Sequence, residues 1–472
     1  MRNEMRSTSI ALCFLLALAG CGGSGGDRGP PPSGGEPPPP PDQPRGDLTV
    51  SVNARDAFGA AVPDAEILLL YSSGTGFWET GVNTDVNGQA TIEHAPDNTY
   101  AVALSADALH GSRYEAAEAD GERMVFDVTL HPWAALSPGV GRVAVTDVSA
   151  DGRTLTFSAR LYIIETYADQ GAWYWGNIDV LPCEECVEGP GNSTATYTGE
   201  TLSSGLAESD PVADPLAIAL LIDQGERVIV DDLADRRLLG AKYLPTRLAA
   251  GDTITVAAFA ADDANAGQFA LLPNQPVTNF PVDNPAFTTD VNSYGPAIES
   301  LAALEGGGSP MYEALGEMVA FTAGTASSES RRAVVAVASY GAGDCGNPAE
   351  CSATQQALLE QSAATGVAVL AVELADSIGR FDRQRLGPLA QADQGAVFWA
   401  QEADQIPTIL GRIPEVLDGR HPAIDVTIRL QSPVAGAFES GNTVTGTLRV
   451  MACPWDCDLP MSFPFGLRVP LR

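Results

Sequence analysis

The stretch "LAIALLID", residues 216–223, is an unbroken apolar run that stops on an acid, Asp223. Neither of its alternating faces carries a polar residue before the end. Such a run cannot lie at a solvated sheet surface and needs cover on both sides, the condition of a central parallel strand. Three more strand-length runs follow it: "TITVAAFAAD" (253–262), "AVVAVAS" (333–339) and "VAVLAVEL" (367–374). Between and after them come the helical stretches "DDLADRRLLGAKYLPTRLA", "PMYEALGEMVAFTAG", "ATQQALLEQSAATG" and "EADQIPTILGRIPEVL". Strands alternating with helices predict an α/β domain over 215–418, a doubly wound, mainly parallel sheet. Ligands of such sheets sit beyond the carboxyl ends of the strands. Asp223 occupies one of those ends.

The flanks have a different period. "LTVSVNARDAFGAAVPDAEILLLYSS" and "TDVNGQATIEHAPDNTYAVALSA" alternate apolar and polar residues between Gly, Pro and Asn turns, the pattern of β-strands. "GRVAVTDVSADGRTLTFSARLYIIETY" (141–167) and "AIDVTIRLQSPVAGAFESGNTVTGTLRVMA" (423–452) look the same. The β-rich segment 132–214 and the C-terminal β segment 419–472 are therefore expected to pair into one sandwich, with the α/β region inserted between them.

At the N-terminus, Arg2 and Arg6 precede an apolar run from Ile10 to Ala19. That run is too short for a mature membrane span and reads as an export signal over 1–20. It ends in Leu18-Ala19-Gly20-Cys21, which resembles the bacterial lipobox. The resemblance implies cleavage before Cys21, lipidation of its thiol, and, with Gly22 following, an outer-membrane lipoprotein of the cell envelope. Residues 21–46 are a Gly/Pro-rich tether. The runs Pro30–Pro32 and Pro37–Pro41 are extended stretches that hold the cargo away from the bilayer.

Sixty acidic residues against 26 basic give a net charge of −34. A field of that sign repels phosphate backbones, so nucleic acid is excluded as a partner class. The membrane is reached through the lipid. Cys13 leaves with the export signal, and the six cysteines beyond Cys21 form close pairs in sequence: Cys183/Cys186, Cys345/Cys351 and Cys453/Cys457. In an exported chain these are disulfide candidates, with connectivity open. The alternative is a redox or zinc-binding envelope protein using Cys183/Cys186 with Cys453/Cys457. Glu184, Glu185 and Glu188 around the first pair raise thiol pKa values and favour a structural bond.

Two family resemblances add to this reading. "G-x-x-V-P-D-A" (Gly59–Ala65), the "T-D-x-N-G" turn (Thr84, Asp85, Asn87, Gly88) and the strand Tyr100–Val102 resemble the carboxypeptidase-regulatory-like β-sandwich over 47–131. The resemblance implies a non-catalytic spacer or binding domain. "GGGSPMYEAL" (306–315), Gly366-x-x-Val-x-x-Val and "LAQADQGAVF" resemble a von Willebrand factor A domain over 215–418. This second resemblance implies a divalent-cation site with its first aspartate at Asp223, serines at Gly225 and Arg227, a threonine at Ser309 and an aspartate at Tyr340. Asp223 and Ser309 keep an oxygen ligand. Gly225 has no side chain, and Arg227 brings a cation toward a cation, where it can pair with Asp223 instead. The site is expected to be a remnant, with no metal ion held there. A rearranged site using Asp262, Asp263 and Asp344 near Glu226, Asp231 and Asp232 is the open alternative for a divalent cation.

His94, His110, His131 and His421 are scattered, and no H-E-x-x-H, G-x-S-x-G or phosphate-binding loop is present. The chain is not expected to be an enzyme. The expected function is a lipid-anchored envelope binding or adhesion-type protein that uses its α/β domain to contact a protein or cell-surface ligand.

Overall fold

The computed structural model describes residues 46–470 apart from 72–75, 107–108, 114–115, 117, 133–135, 165–173, 189–193, 209–211, 262–268, 272–286, 291–293, 304, 339–347, 375–379 and 454–458. The lipobox, Cys21 and the tether up to Arg45 lie outside the described residues, as do Tyr340, Asp262, Asp263, Asp344, Cys345 and Cys457. No helix among the described residues is long and apolar enough to cross a membrane. The protein is mostly β and multidomain, and its sheets are mixed. The described residues fall into two compact units, 46–132 and 136–470.

The first unit comprises β1 (Leu48–Asp56), β2 (Glu66–Tyr71), β3 (Gly76–Asn83), β4 (Gln89–Ala95), β5 (Thr99–Ala106), β6 (Leu109–Arg113), β7 (Glu118–Ala119) and β8 (Arg123–Pro132). They form one 8-stranded sheet in the order β3-β2-β5-β6-β8-β1-β4, with β7 on β8. Strand β1 alternates buried and half-buried residues from Leu48 to Ala54, as a strand with one face in the core must. Val50 and Val52 of β1 and Phe126 and Val128 of β8 meet Ile67 and Leu69 of β2 and Val102 and Leu104 of β5 in one cluster. The Asp85 turn is held by its own side chain, which accepts from the Asn87 amide at 2.8 Å and the Gln89 amide at 2.9 Å. This is an Asx turn closed by Gly88 at φ 72.

The second unit begins with β9 (Ser137–Val148), β10 (Thr154–Ile164), β11 (Tyr174–Val180), β12 (Cys183–Glu188) and β13 (Thr194–Leu206). The parallel strands follow: β14 (Leu216–Asp223) and β15 (Thr253–Ala261), an antiparallel edge strand β16 (Phe269–Leu271), then β17 (Arg331–Ala338), β18 (Val367–Leu374) and β19 (Ala396–Ala400). Last come β20 (Ala423–Gln431), β21 (Thr443–Cys453) and β22 (Leu459–Arg468). The helices are α1 (Val228–Asp231), α2 (Arg236–Tyr243), α3 (Gly295–Ser300), α4 (Met311–Thr325), α5 (Pro348–Thr365), α6 (Arg380–Leu386) and α7 (Gln405–Leu417).

All eight residues of β14 are buried. Ala219 and Leu221 point into a cluster with Met311, Leu315 and Val319 of α4 and Leu358 of α5. Ile218, Leu220 and Ile222 point the other way, onto Leu238 of α2, Ile298 of α3 and Ile409 and Leu410 of α7. Helices thus cover both faces of this strand.

The α/β region is not a free-standing insertion. Strand β19 pairs antiparallel with β9 at Ala396–Gly141 and Phe398–Gly139, so the sheet runs on through β9, β10, β20 and β13 into a 14-stranded whole. Close approach at this seam requires glycine: a Cβ on Gly139 would lie 2.4 Å from the Phe398 ring. The segments before and after the α/β strands are hydrogen-bonded to each other, β10 to β20 from Thr154–Gln431 through Tyr162–Ala423. A second layer, β11, β12, β21 and β22, covers one face of these strands. Phe157 and Phe465 meet there with ring centroids 5.2 Å apart.

Candidate functional site

The parallel part of the sheet has the order β15-β14-β17-β18-β19, with β16 antiparallel at the edge beyond β15. Chain connection runs outward in both directions from β14, so the order reverses there, and the crevice beyond its carboxyl end is the topological switch point where such sheets bind ligands. Asp223, fully buried, is the last residue of β14 at that point.

Three backbone bonds build the rim. The Gln224 amide donates to the Phe259 carbonyl of β15 at 2.8 Å, the Gly306 amide to the Gln224 carbonyl at 2.9 Å, and the Glu226 amide to the Gly307 carbonyl at 2.8 Å. The loop after β14 and the glycine-rich loop before α4 are thereby zipped together, and Gly307 at φ 75 adopts the left-handed turn this needs. The zipper delivers Ser309 to Asp223. The Ser309 hydroxyl donates to Asp223 Oδ1, and the Gly225 amide donates to the same oxygen at 2.8 Å.

Arg227 is exposed on the outer side of the turn into α1, and it forms no ion pair with Asp223. This corrects the expectation: the place beside the carboxylate is filled by Ser309. The arginine that matters is Arg237 of α2, 2 % exposed. Its Nε donates to the Asp223 carbonyl at 3.1 Å, its Nη1 to Asp232 Oδ2 at 2.9 Å, and its Nη2 to Glu305. Asp232 is fully engaged in turn, accepting from the Arg236 amide at 2.7 Å and the Arg237 amide at 2.9 Å. The guanidinium fork and the helix start share one carboxylate. Sequence reasoning missed Arg237; "DDLADRR" sets acids and two arginines within a turn but does not say which arginine turns inward.

The cation that the resemblance implies does not fit these residues. Gly225 supplies no oxygen side chain, Oδ1 of Asp223 already accepts two hydrogen bonds, and a buried guanidinium is ion-paired with both Asp232 and Glu305. A hard divalent ion wants about six oxygen ligands. Among the described residues no three His, Cys, Asp or Glu are grouped as a metal requires. Of the rearranged site's described members, Glu226 is exposed, Asp231 is half-buried in α1 and Asp232 is held by Arg237.

The backbone also bears on the cysteines. Cys183 and Cys186 both stand in β12, and their side chains lie outside the described residues. Cys183 pairs with Tyr197 and Val187 with Ala195, so four steps along β12 answer two along β13. The strand therefore bulges between them, with Cys186 inside the bulge. The register bears on the four-cysteine grouping. Val187, next to Cys186, meets Val444 near the start of β21, whereas Cys453 lies opposite Tyr174 at the far end of that strand. Extended chain from Val444 to Cys453 spans on the order of 30 Å. Register thus keeps the backbone of Cys186 away from that of Cys453, and Cys457 lies outside the described residues. Cys351 stands in α5, and its partner candidate Cys345 lies outside the described residues.

A second buried charge pair, Arg385 of α6 with Glu373 of β18, lies beside Tyr312, whose hydroxyl accepts from Gln355 Nε2 at 3.0 Å. Burial pushes the Tyr312 phenol far up.

Beside the rim, Ile229, Val230 and Leu233 are 48 %, 68 % and 85 % exposed. Their spacing puts Ile229 and Leu233 on one side of α1 and its following turn.

No protein-family model matches the chain, and no curated protein is similar in sequence. Among solved structures, a von Willebrand factor type A protein from Catenulispora acidiphila overlaps 71 % of this chain and 74 % of its own at 9 % identity and TM-score 0.32. An aerotolerance-related membrane protein from Bacteroides fragilis overlaps 43 % of this chain and 98 % of its own at 14 % identity and TM-score 0.29. The pilus adhesin SpaC from Lactobacillus rhamnosus GG overlaps 80 % of this chain and 55 % of its own at 9 % identity and TM-score 0.31.

Proposed function

We propose that this chain is a lipid-anchored cell-envelope binding protein of the adhesion type, and not an enzyme. In this reading residues 47–131 are a carboxypeptidase-regulatory-like spacer. The doubly wound, von Willebrand factor A-like sheet offers its rim to a protein or cell-surface ligand without a metal ion. The cysteine pairs serve as local disulfides.

The observation that carries the reading is Arg237. A guanidinium buried behind Asp223 and bonded to Asp232 and Glu305 already places a fixed positive charge among the acids of the rim. In this reading a rim with its own internal cation works through its surface. The exposed Ile229, Val230 and Leu233 supply apolar contact area next to it, the property that marks protein-interaction sites.

The test crosslinks the full chain in intact envelopes and compares partner recovery with that of the Leu233→Asp/Val230→Asp variant. Loss of a partner in the variant supports the reading, and unchanged recovery refutes it. A parallel titration with magnesium and manganese reads the metal: an unchanged melting temperature agrees, whereas tight stoichiometric uptake abolished by Asp223→Ala overturns the metal-free rim.

A further inference from the structure

The exposed face of the antiparallel strands in the second unit carries a feature of its own. Strands β9, β10, β20 and β13 lie side by side, and across them a shallow depression of about 460 Å³ is lined by Arg142, Ser158, Arg160, Ser203, Asp425 and Thr427 among others. That volume falls within the range of about 300–1,000 Å³ typical of small-molecule sites. The lining combines short hydroxyl side chains with two guanidinium groups.

Arg142 is placed there by a β-bulge. The register between β10 and β9 slips from Ser158–Ala144 to Arg160–Gly141, so Arg142 and Val143 share one place opposite Ala159. Arg142 takes φ 50, a left-handed conformation that such bulges normally give to glycine. A bulge re-aims a side chain, and backbone strain kept at a non-glycine residue points to use of that side chain. Arg142 is exposed, and no carboxylate lies within ion-pair distance of it among the described residues.

Arg160 is the second cation. It holds Asp425 in a two-point grip, with Nε–Oδ1 at 2.7 Å and Nη2–Oδ2 at 2.8 Å. Both guanidinium groups act on one hydroxyl: burial raises the Tyr162 phenol, while the Arg142 and Arg160 charges pull it down. Arg142 and Arg160 against Asp425 leave these lining residues one net positive charge.

We propose that this depression binds a small organic anion of the uronic-acid type, with Arg142 as the oxyanion fork and Ser158, Ser203 and Thr427 donating to or accepting from its hydroxyl groups. Arg142 and a carboxylate match in planar, two-point geometry, and the hydroxyl lining suits a polyol. The site is separate from the rim at Asp223 and does not depend on the function assigned to that rim.

The test is calorimetric titration of the full chain with sodium glucuronate, glucose and sodium sulfate in separate experiments. Glucuronate is expected to bind saturably and glucose not at all. Arg142→Gly is expected to weaken glucuronate at least 10-fold while leaving the melting temperature unchanged or higher, since glycine relieves the left-handed backbone. A merely structural arginine would show the opposite pattern. Ser203→Asp, an exposed change that adds a negative charge, is expected to abolish binding. Sulfate competition would extend the oxyanion site to sulfate esters, and its failure would restrict the site to carboxylates. Glucose binding as tightly as glucuronate, retained affinity in both variants, or no saturable uptake of glucuronate would overturn the proposal.

Discussion

The Ser309 hydroxyl donates to the Asp223 carboxylate, joining the loop before α4 to the end of β14. Gly225 makes the bond possible. A Cβ at that position would lie 2.7 Å from Ser309 Oγ and 3.2 Å from Asp223 Oδ1. The missing side chain at Gly225 therefore does more than delete a ligand, because it opens the space in which a serine from another loop closes on the aspartate. Serine and aspartate satisfy each other directly.

Ser309→Ala is expected to lower stability by about 1.5–3 kcal/mol, the usual worth of a hydrogen bond to a charged group. Gly225→Ser should also destabilise, by roughly 1–3 kcal/mol, as the new Cβ forces Ser309 aside. Denaturant unfolding of the full chain measures both. Gly225→Ser gaining tight magnesium uptake on its own would show that Arg237 is no barrier to a cation.

Arg237→Ala leaves two carboxylates, Asp232 and Glu305, without their cation in a buried setting. The cost should be about 3–5 kcal/mol. Arg237→Lys should recover only part of it, because an ammonium cannot bridge both acids and the Asp223 carbonyl as the fork does. Arg227→Ala, ten residues earlier and exposed, should stay within about 0.5 kcal/mol. Equal effects of the two arginines in the same unfolding experiment would contradict the assignment of the internal cation.

Leu233→Asp alters a residue 85 % exposed, so the melting temperature should move little. Partner capture should fall at least tenfold if the apolar knuckle is a contact centre. A binding assay on crosslinked envelopes beside a thermal melt reads the two effects separately.

Glu415 of α7 provides a pH handle. Burial alone would raise its carboxyl, but the Arg412 charge and the hydrogen bonds from Arg247 at 2.9 Å and Arg412 at 2.8 Å outweigh burial and hold it below 4.5. A depressed folded pKa stabilises the fold above the unfolded value and is lost as pH falls through the folded one. The wild-type melting temperature should therefore drop below about pH 4.5 more steeply than that of Glu415→Gln. Parallel slopes would remove Glu415 from the acid transition.

The strands of the α/β region were legible because their apolar runs are strand-length, rich in β-branched residues and alternate with longer helical stretches. "VAVLAVEL" is β18 residue for residue, and "PMYEALGEMVAFTAG" lies within one residue of α4 at each end. The glycine-rich "GGGSP" loop and Asp223 were legible as partners through the family pattern. Arg237 was not, since a helix-start arginine looks the same whether it faces solvent or turns inward. Arg142 was hidden for a similar reason: a bulge is a property of two strands in register, and one strand does not display it. Register also separates Cys186 from Cys453, two residues that spacing alone left free to meet.

Local chemistry, then, determined where apolar runs must become strands, where glycine must turn the chain, and that the acid ending β14 stands at the edge of a sheet. Tertiary structure decided which arginine neutralises that edge, that β19 continues into β9 to make one sheet of two regions, and which hydroxyl closes on Asp223. The reason is physical. Burial and period act between near neighbours and are written in the chain, whereas the pairing of charges and the joining of sheet edges depend on distances that exist only after folding.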